Sequence, residues 1–448
     1  MNLFPKNSPR KNGFTLIETL VGSAVFVMLA LSGYKAFGVL MDAVAISQAK
    51  ITATTLANEK FEIIRNLPYI DVGIVAGLPV GKIGRNETTT RDNYSFNILT
   101  SIRNVDDSFD GTIGGSPNDT SPADYKLVDL DITCSNCKTL APLSFTTLVA
   151  PHALETASTN GALFIRVFDV SGTPIQGASL HVVNTGTNPD TIIDEMTDNE
   201  GWLKLIDAPP GVSAYNITAT KTGYSEDQTY PVGGAAGNNP VKPDSTVVTQ
   251  QVTQISFGID QTSSLSVNTV NVVDSTCVAL PSIGFSLTGT KLIGVGVLKY
   301  PTQNFTTDGT GNYTIPTLEW DTYSTLLTST SYDLVGSTPL PTFGINPNEN
   351  KNLQLVVTPH VSGALLVSVK DSLGVAIDGA TVRLEKSGFD QTKTTNGGTC
   401  ATPGQVFWNG LVSGTYTLTV SGAGYQEYVD NALNITSAWQ NQTITLTP

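Results

Sequence analysis

The chain has 448 residues, with 24 Lys or Arg against 38 Asp or Glu and a net charge of −14; at about 150 residues per domain this length calls for several domains rather than one core. So acidic a chain, only 14% charged, excludes a nucleic-acid binder that works through a basic surface, and 40% apolar residues exclude a disordered chain. Three His and four Cys leave little for metal or redox chemistry, whereas 41 Gly and 24 Pro fit many short strands joined by tight turns.

Residues 1–13 are polar, with Lys6, Arg10 and Lys11 and no acid, which places them on the cytoplasmic side of a membrane. The chain turns apolar at Phe14. Residues 19–34 carry no charge, and 14–40 are long enough to span a bilayer if Lys35 snorkels. Glu18 is the anomaly, because a carboxylate in a membrane segment must sit near the interface, be neutralised or meet a cation. Apolar residues recur at helical spacing through Leu56, Phe61, Ile64 and Leu67 until Pro68. Residues 14–67 therefore read as one helix of about 80 Å at about 1.5 Å per residue, its first half lipid-facing and its second amphipathic.

The hexapeptide Gly13-Phe14-Thr15-Leu16-Ile17-Glu18 resembles the processing site of type IV prepilins and pseudopilins. That resemblance implies a leader at 1–13, cleavage by a prepilin peptidase between Gly13 and Phe14, and N-methylation of Phe14. It also supplies the cation for Glu18, since this family pairs the corresponding acid with the terminal amine of a neighbouring subunit. A secretory signal peptide would need an uninterrupted apolar core and a small-residue cleavage site after it, and Glu18 interrupts that core. Many major pilins carry a proline in the middle of the apolar half; Gly33, Lys35 and Gly38 stand here instead, which leans toward a minor pilin or pseudopilin.

Residues 68–157 read as a small α+β pilin-like domain with the end of the helix, its strands near 94–99, 125–132 and 143–149. Their order is similar to that in minor pilins of the PilV kind and in pseudopilin I of type II secretion. Asp106, Asp107 and Asp110, with Asp119 and Asp124 beyond, form an acidic Gly-containing stretch that is either a solvated turn or a weak calcium candidate. No other metal site is expected. Cys134 and Cys137 have no βαβ context for a redox motif and no second pair for zinc, so a small structural disulfide is the expectation.

Self-comparison divides the remainder into three repeats, at 158–260, 261–359 and 360–448. Residues 161–169 recur at 363–371, and Gly172, Ile175, Gly177 and Ala178 fall on Gly374, Ile377, Gly379 and Ala380. The middle copy is more diverged, with Asp308 and Gly311 matching Asp198 and Gly201, and each copy carries a tyrosine at a common step: Tyr215, Tyr323 and Tyr416. About seven short alternating runs per copy mark an antiparallel β-sandwich. The patterns resemble carboxypeptidase regulatory-like and Cna-B-type domains, implying Ig-like or transthyretin-like sandwiches. Cna-B domains often carry a Lys–Asn crosslink; Lys370 and Asn434 suggest one, yet 416–420 hold no acid to promote it. Strand counting puts Cys277 and Cys400 one domain length apart, beyond disulfide reach.

His152, His181 and His360 stand apart in the sequence, and no nucleophile, zinc or nucleotide motif appears, so neither an enzyme nor a cofactor is expected. The resulting expectation is a multidomain, mainly β envelope protein, with a long pilin-type helix, a small pilin domain and three tandem sandwiches. Its first reading is a minor, tip-positioned type IV pilin, inserted in the cytoplasmic membrane before assembly and then carried to the periplasm or cell exterior. Its partners are other pilin subunits, the prepilin peptidase and a surface carbohydrate or protein of unknown identity. The alternatives are a pseudopilin of a secretion or DNA-uptake machine and an anchored stalk that does not polymerise.

Overall fold

The computed structural model describes residue 13 and residues 15–137, 140–151, 157–274, 276–395, 400 and 402–448. The leader through residue 12, Phe14, His152 and Glu155 lie outside the described residues. The chain divides into two compact units, Met1–Ser158 and Thr159–Pro448.

In the first unit, Thr15 caps helix α1 (Leu16–Arg65), which Asn66 closes just before Pro68. Its distal half buries Ala49, Ala53, Leu56, Ala57, Phe61 and Ile64, a stripe stepping by three and four residues. This stripe packs on an antiparallel sheet of β1 (Asn86–Arg91), β2 (Tyr94–Val105), β3 (Tyr125–Cys134) and β4 (Leu143–Val149), joined in sequence order. Along β2 and β3, Phe96, Ile98, Ile102, Val128, Leu130 and Ile132 alternate inward to complete the core. Asp92 and Asn93 both take positive φ between β1 and β2, the requirement of a two-residue hairpin with the strand-matching twist. Lys60 and Glu59 on α1 pair with Glu87 and Arg91 of β1 at 2.6 and 2.8 Å. These partly exposed pairs contribute about 0–1 kcal/mol each. Fully burying a leucine or phenylalanine is worth about 1.5–3 kcal/mol, so apolar burial decides the docking of α1 on the sheet.

The second unit contains three sandwiches whose first, last and central strands are wired alike. Strand Gly161–Phe168 runs parallel to Val252–Gly258 and antiparallel to Trp202–Ala208. Ser263–Val273 does the same with Asn350–Pro359 and Asn312–Leu318, and Leu365–Lys370 with Gln440–Thr445 and Gln405–Trp408. The facing sheets are centred on Ser179–Asn184, Gly284–Gly289 and Thr381–Lys386, each between two antiparallel neighbours. Each sandwich thus adds one parallel pair, its first strand with its last, to an otherwise antiparallel pattern. Chain entry and exit then fall at opposite ends of each sandwich.

The repeated residues have repeated tasks. Tyr215, Tyr323 and Tyr416 are fully buried, and their hydroxyls donate to the carbonyls of Pro209, Glu319 and Val412 at 2.6, 2.9 and 2.8 Å. This is the tyrosine corner of Ig-like sandwiches. Burial pushes the Tyr215 and Tyr323 phenols well above their ordinary range. Asp198 accepts from the amides of Glu200 and Trp202, Asp308 from those of Thr310 and Asn312, and Gly201 and Gly311 supply the positive φ of these turns. Thr197 and Thr395 each donate to one backbone carbonyl and accept one amide from the opposing loop, at 2.6–2.9 Å.

Cys277 and Cys400 form a disulfide with a Cα–Cα distance of 5.5 Å, contrary to the separation expected from strand counting. The expectation assumed that repeats two and three meet only at their ends. Instead they overlap laterally. Leu366 of the third repeat is wholly buried in the core cluster of the second, joined by Phe407 and Trp439. Ser337 and Gln405 exchange two buried hydrogen bonds of 2.9 and 2.7 Å, and the Trp439 indole donates to the Leu334 carbonyl at 2.9 Å. Cys277 rides on Thr276–Ala279, a short strand folded back on the far end of Ser263–Val273, which brings it to this boundary. Cys400 is buried there against Val270 and Val356.

Two outcomes test this arrangement. Cys277→Ser/Cys400→Ser should lower the unfolding free energy of the second unit by about 2–4 kcal/mol in denaturant titration, as for a bridge closing a long loop. Tyr416→Phe should cost about 1 kcal/mol, because it removes one hydrogen bond and leaves the Val412 carbonyl without that donor.

Candidate functional site

Apart from Glu18 and Lys35 the proximal half of α1 carries no charge up to Leu40, and nothing among the described residues covers it: Leu16, Phe26 and Leu40 are 83%, 71% and 63% exposed. A helix of this kind needs lipid or an apolar partner. Among the described residues, α1 is long and apolar enough to cross a membrane. Glu18 lies in its first turn, where its amide donates to the Thr15 hydroxyl at 3.3 Å. Thr15 and Glu18 therefore have capping-box spacing, and the acid sits at the positive end of the helix dipole. Gly13 directly precedes the undescribed Phe14, so the cleavage and methylation assignments rest on the sequence.

The connection between β2 and β3 holds the acidic stretch. Asp107 faces the turn, accepting from the Phe109 amide at 3.0 Å. Asp110, Asp119 and Asp124 instead converge, each offering an oxygen within 4.8 Å of the others'. Asp119 is 7% exposed; one of its oxygens accepts from the Ser121 amide at 2.7 Å, and the other, Oδ2, is buried with no hydrogen-bond partner among the described residues. Asp106 lies beside them. Burial, with repulsion from Asp119, Asp124 and Asp110, outweighs the Ile113 amide and pushes its carboxyl up to about 6. Burial likewise raises Asp124. The sequence displayed all five acids, but the choice of three depends on how residues 106–124 fold back on themselves.

Cys134 and Cys137 are bonded, with a Cα–Cα distance of 5.5 Å at the end of β3. His181 pairs with Asp194 at 2.6 Å on an exposed strand face, and His360 with buried Asp333 at 2.8 Å near the junction of the second and third repeats. These two imidazoles stand in different repeats. Trp408 is buried, and Trp202 and Trp320 are half-buried.

A prokaryotic N-terminal methylation motif matches residues 8–34. No curated protein shows significant similarity to the chain. Among solved structures, the Bacillus anthracis TIE protein is 15% identical, covering 82% of this chain and 73% of its own, with a TM-score of 0.21. A streptococcal ancillary pilin is 13% identical, covering 64% of this chain and 98% of its own, at 0.18. GBS52, the minor pilin of Streptococcus agalactiae, is 16% identical, covering 41% and 95%, at 0.17. Scores this low carry no weight for function. The methylation motif and the exposed apolar half of α1 mark a membrane-anchored chain of the prokaryotic envelope that carries the amino-terminal module of pilin-type subunits.

Proposed function

We propose that the chain is a minor subunit of a type IV pilus, processed after Gly13, methylated on Phe14, and held in a filament through α1. The observation that carries this reading is Glu18, a carboxylate in the first turn of a helix whose following residues are apolar and exposed. Its place at the helix start is worth about 0.3–1 kcal/mol. Isolated acids at the centre of a membrane helix cost about 2.5–3.5 kcal/mol, so a cap alone does not offset full immersion. The freed amine of an adjacent subunit would. Such a pair enforces register between subunits even where its net contribution to stability is small.

Bulk favours a low-copy position, because the second unit adds three sandwiches to each subunit. A pseudopilin of a secretion or DNA-uptake machine uses the same helix and the same ion pair; the missing mid-helix proline keeps that reading alongside the first. In either case the role is structural. In this reading the acidic array is a stalk or adhesive module for an external ligand.

Glu18→Ala should abolish recovery of the chain in sheared filaments while leaving it in the membrane fraction, since an unmatched amine in an apolar site costs about 3–5 kcal/mol. Unchanged filament recovery would exclude assembly through this acid. Mass spectrometry of the envelope-associated protein should find an N-methylated Phe14 terminus, and a chain that still starts at Met1 would remove the pilin reading.

A further inference from the structure

The acidic connection between β2 and β3 presents a buried charge on a stretch whose own sequence supplies no cation. Residues 104–125 include five aspartates and no Lys, Arg or His. Of the flanking cations, Arg103 pairs with Asp129 at 3.0 Å, and Lys126 donates to the Tyr69 and Val72 carbonyls at 2.8 and 2.7 Å. Asp119, Asp124 and Asp110 each repel the Asp106 charge.

Acids crowded on a surface loop repel one another harmlessly in water. Asp119 differs, because it is 7% exposed and its Oδ2 is buried with no hydrogen-bond partner among the described residues. An unpaired buried carboxylate oxygen costs several kcal/mol unless something compensates it. Asp106 Oδ1 is a second buried carboxylate oxygen lacking a partner in the same loop. From the compensation these two oxygens lack, together with the convergence of three carboxylates, we infer that residues 106–124 form a calcium site in which Asp110, Asp119 and Asp124 are ligands.

The chemistry selects the ion. All donors are hard oxygens, with no imidazole or thiolate for zinc or copper. Oxygens within 4.8 Å of one another lie within the span of one sphere of Ca–O bonds of about 2.3–2.6 Å. Magnesium demands shorter bonds of about 2.0–2.1 Å in a near-ideal octahedron, and it keeps its waters, so an irregular loop of carboxylates favours the larger ion. The loop already has a frame for binding. The Asp119 amide donates to the Thr112 carbonyl at 3.1 Å, Gly114 donates to the Asn118 side chain at 2.6 Å, and Asp124 Oδ2 accepts the Asp107 amide. Calcium would tie the two ends of this connection to its middle.

The full-length chain in detergent, stripped with a chelator and desalted, can be titrated calorimetrically with CaCl2 and, separately, MgCl2. Saturable calcium binding is expected at about 10⁻⁴–10⁻³ M, the range of extracellular modules, with magnesium weaker. Asp110→Asn, at an exposed position that leaves the fold intact, and Asp119→Asn should each weaken calcium binding about tenfold or more. Asp107→Asn, outside the converging trio, should bind as the unsubstituted chain does. Absence of saturable calcium heat, equal affinity for magnesium, or unchanged binding by Asp110→Asn would each overturn the site. If Asp119→Asn does not fold, Asp110→Asn decides alone.

Discussion

A carboxylate at the start of an apolar helix constrains everything downstream of it. Glu18 cannot enter hydrocarbon or a packed fibre uncompensated, and its place in the first turn of α1 gives its carboxylate only the partial help of the helix dipole. Cleavage between Gly13 and Phe14, which the motif implies, would create an amine at the depth where the acid sits. The same cut would remove Lys6, Arg10 and Lys11, leaving the apolar half of α1 to begin almost at once. Processing and assembly are in this reading one electrostatic event, because the step that frees the helix also creates the charge that seats it.

The distal half of α1 solves a different problem. Its inward stripe contains three alanines, Ala49, Ala53 and Ala57, which bring the helix backbone close to the sheet, while Leu56, Phe61 and Ile64 fill the space nearer its end. The apolar character of the helix is thus exposed all round at one end and confined to one face at the other. Fifty continuous residues hold both environments on one rigid rod. Beyond it, parallel pairing of first and last strands in every sandwich moves the chain forward by one domain per repeat. A sandwich whose ends lay at the same pole would fold the array back on itself.

Features set by local periodicity or local turn chemistry were legible in the sequence. The helix ends at Arg65, just short of the expected proline; β2, β3 and β4 alternate where they should; and the recurring Asp-x-x-Gly turns and buried tyrosines sit at matched positions in their repeats. What escaped was non-local. The first strand, β1, runs Asn-Glu-Thr-Thr-Thr-Arg with no apolar residue to alternate, since it lies at the sheet edge with largely exposed side chains. Thr395 does the work of Thr197 without the Asp-x-x-Gly that follows it in the first copy. The converging carboxylates depend on a loop path with no periodic pattern. The bond between Cys277 and Cys400 depends on how two sandwiches overlap, which strand counting within each does not specify.

That overlap changes what the last two repeats are mechanically. A lone sandwich has its own core and can open independently of its neighbour. Here Leu366, Phe407 and Trp439 belong to the core of the preceding repeat, so opening that core strips apolar surface from the third repeat as well. The Ser337–Gln405 exchange is buried, and separating the repeats would leave both groups to find new partners. The disulfide then adds a covalent path from Cys277 directly to Cys400, so a pull along the chain bypasses the strands between them. Shared burial makes the pair cooperative, and the bridge limits how far it can extend if that cooperativity is overcome. If the array is carried on a filament, as proposed above, both properties would resist shear, which acts through one continuous backbone.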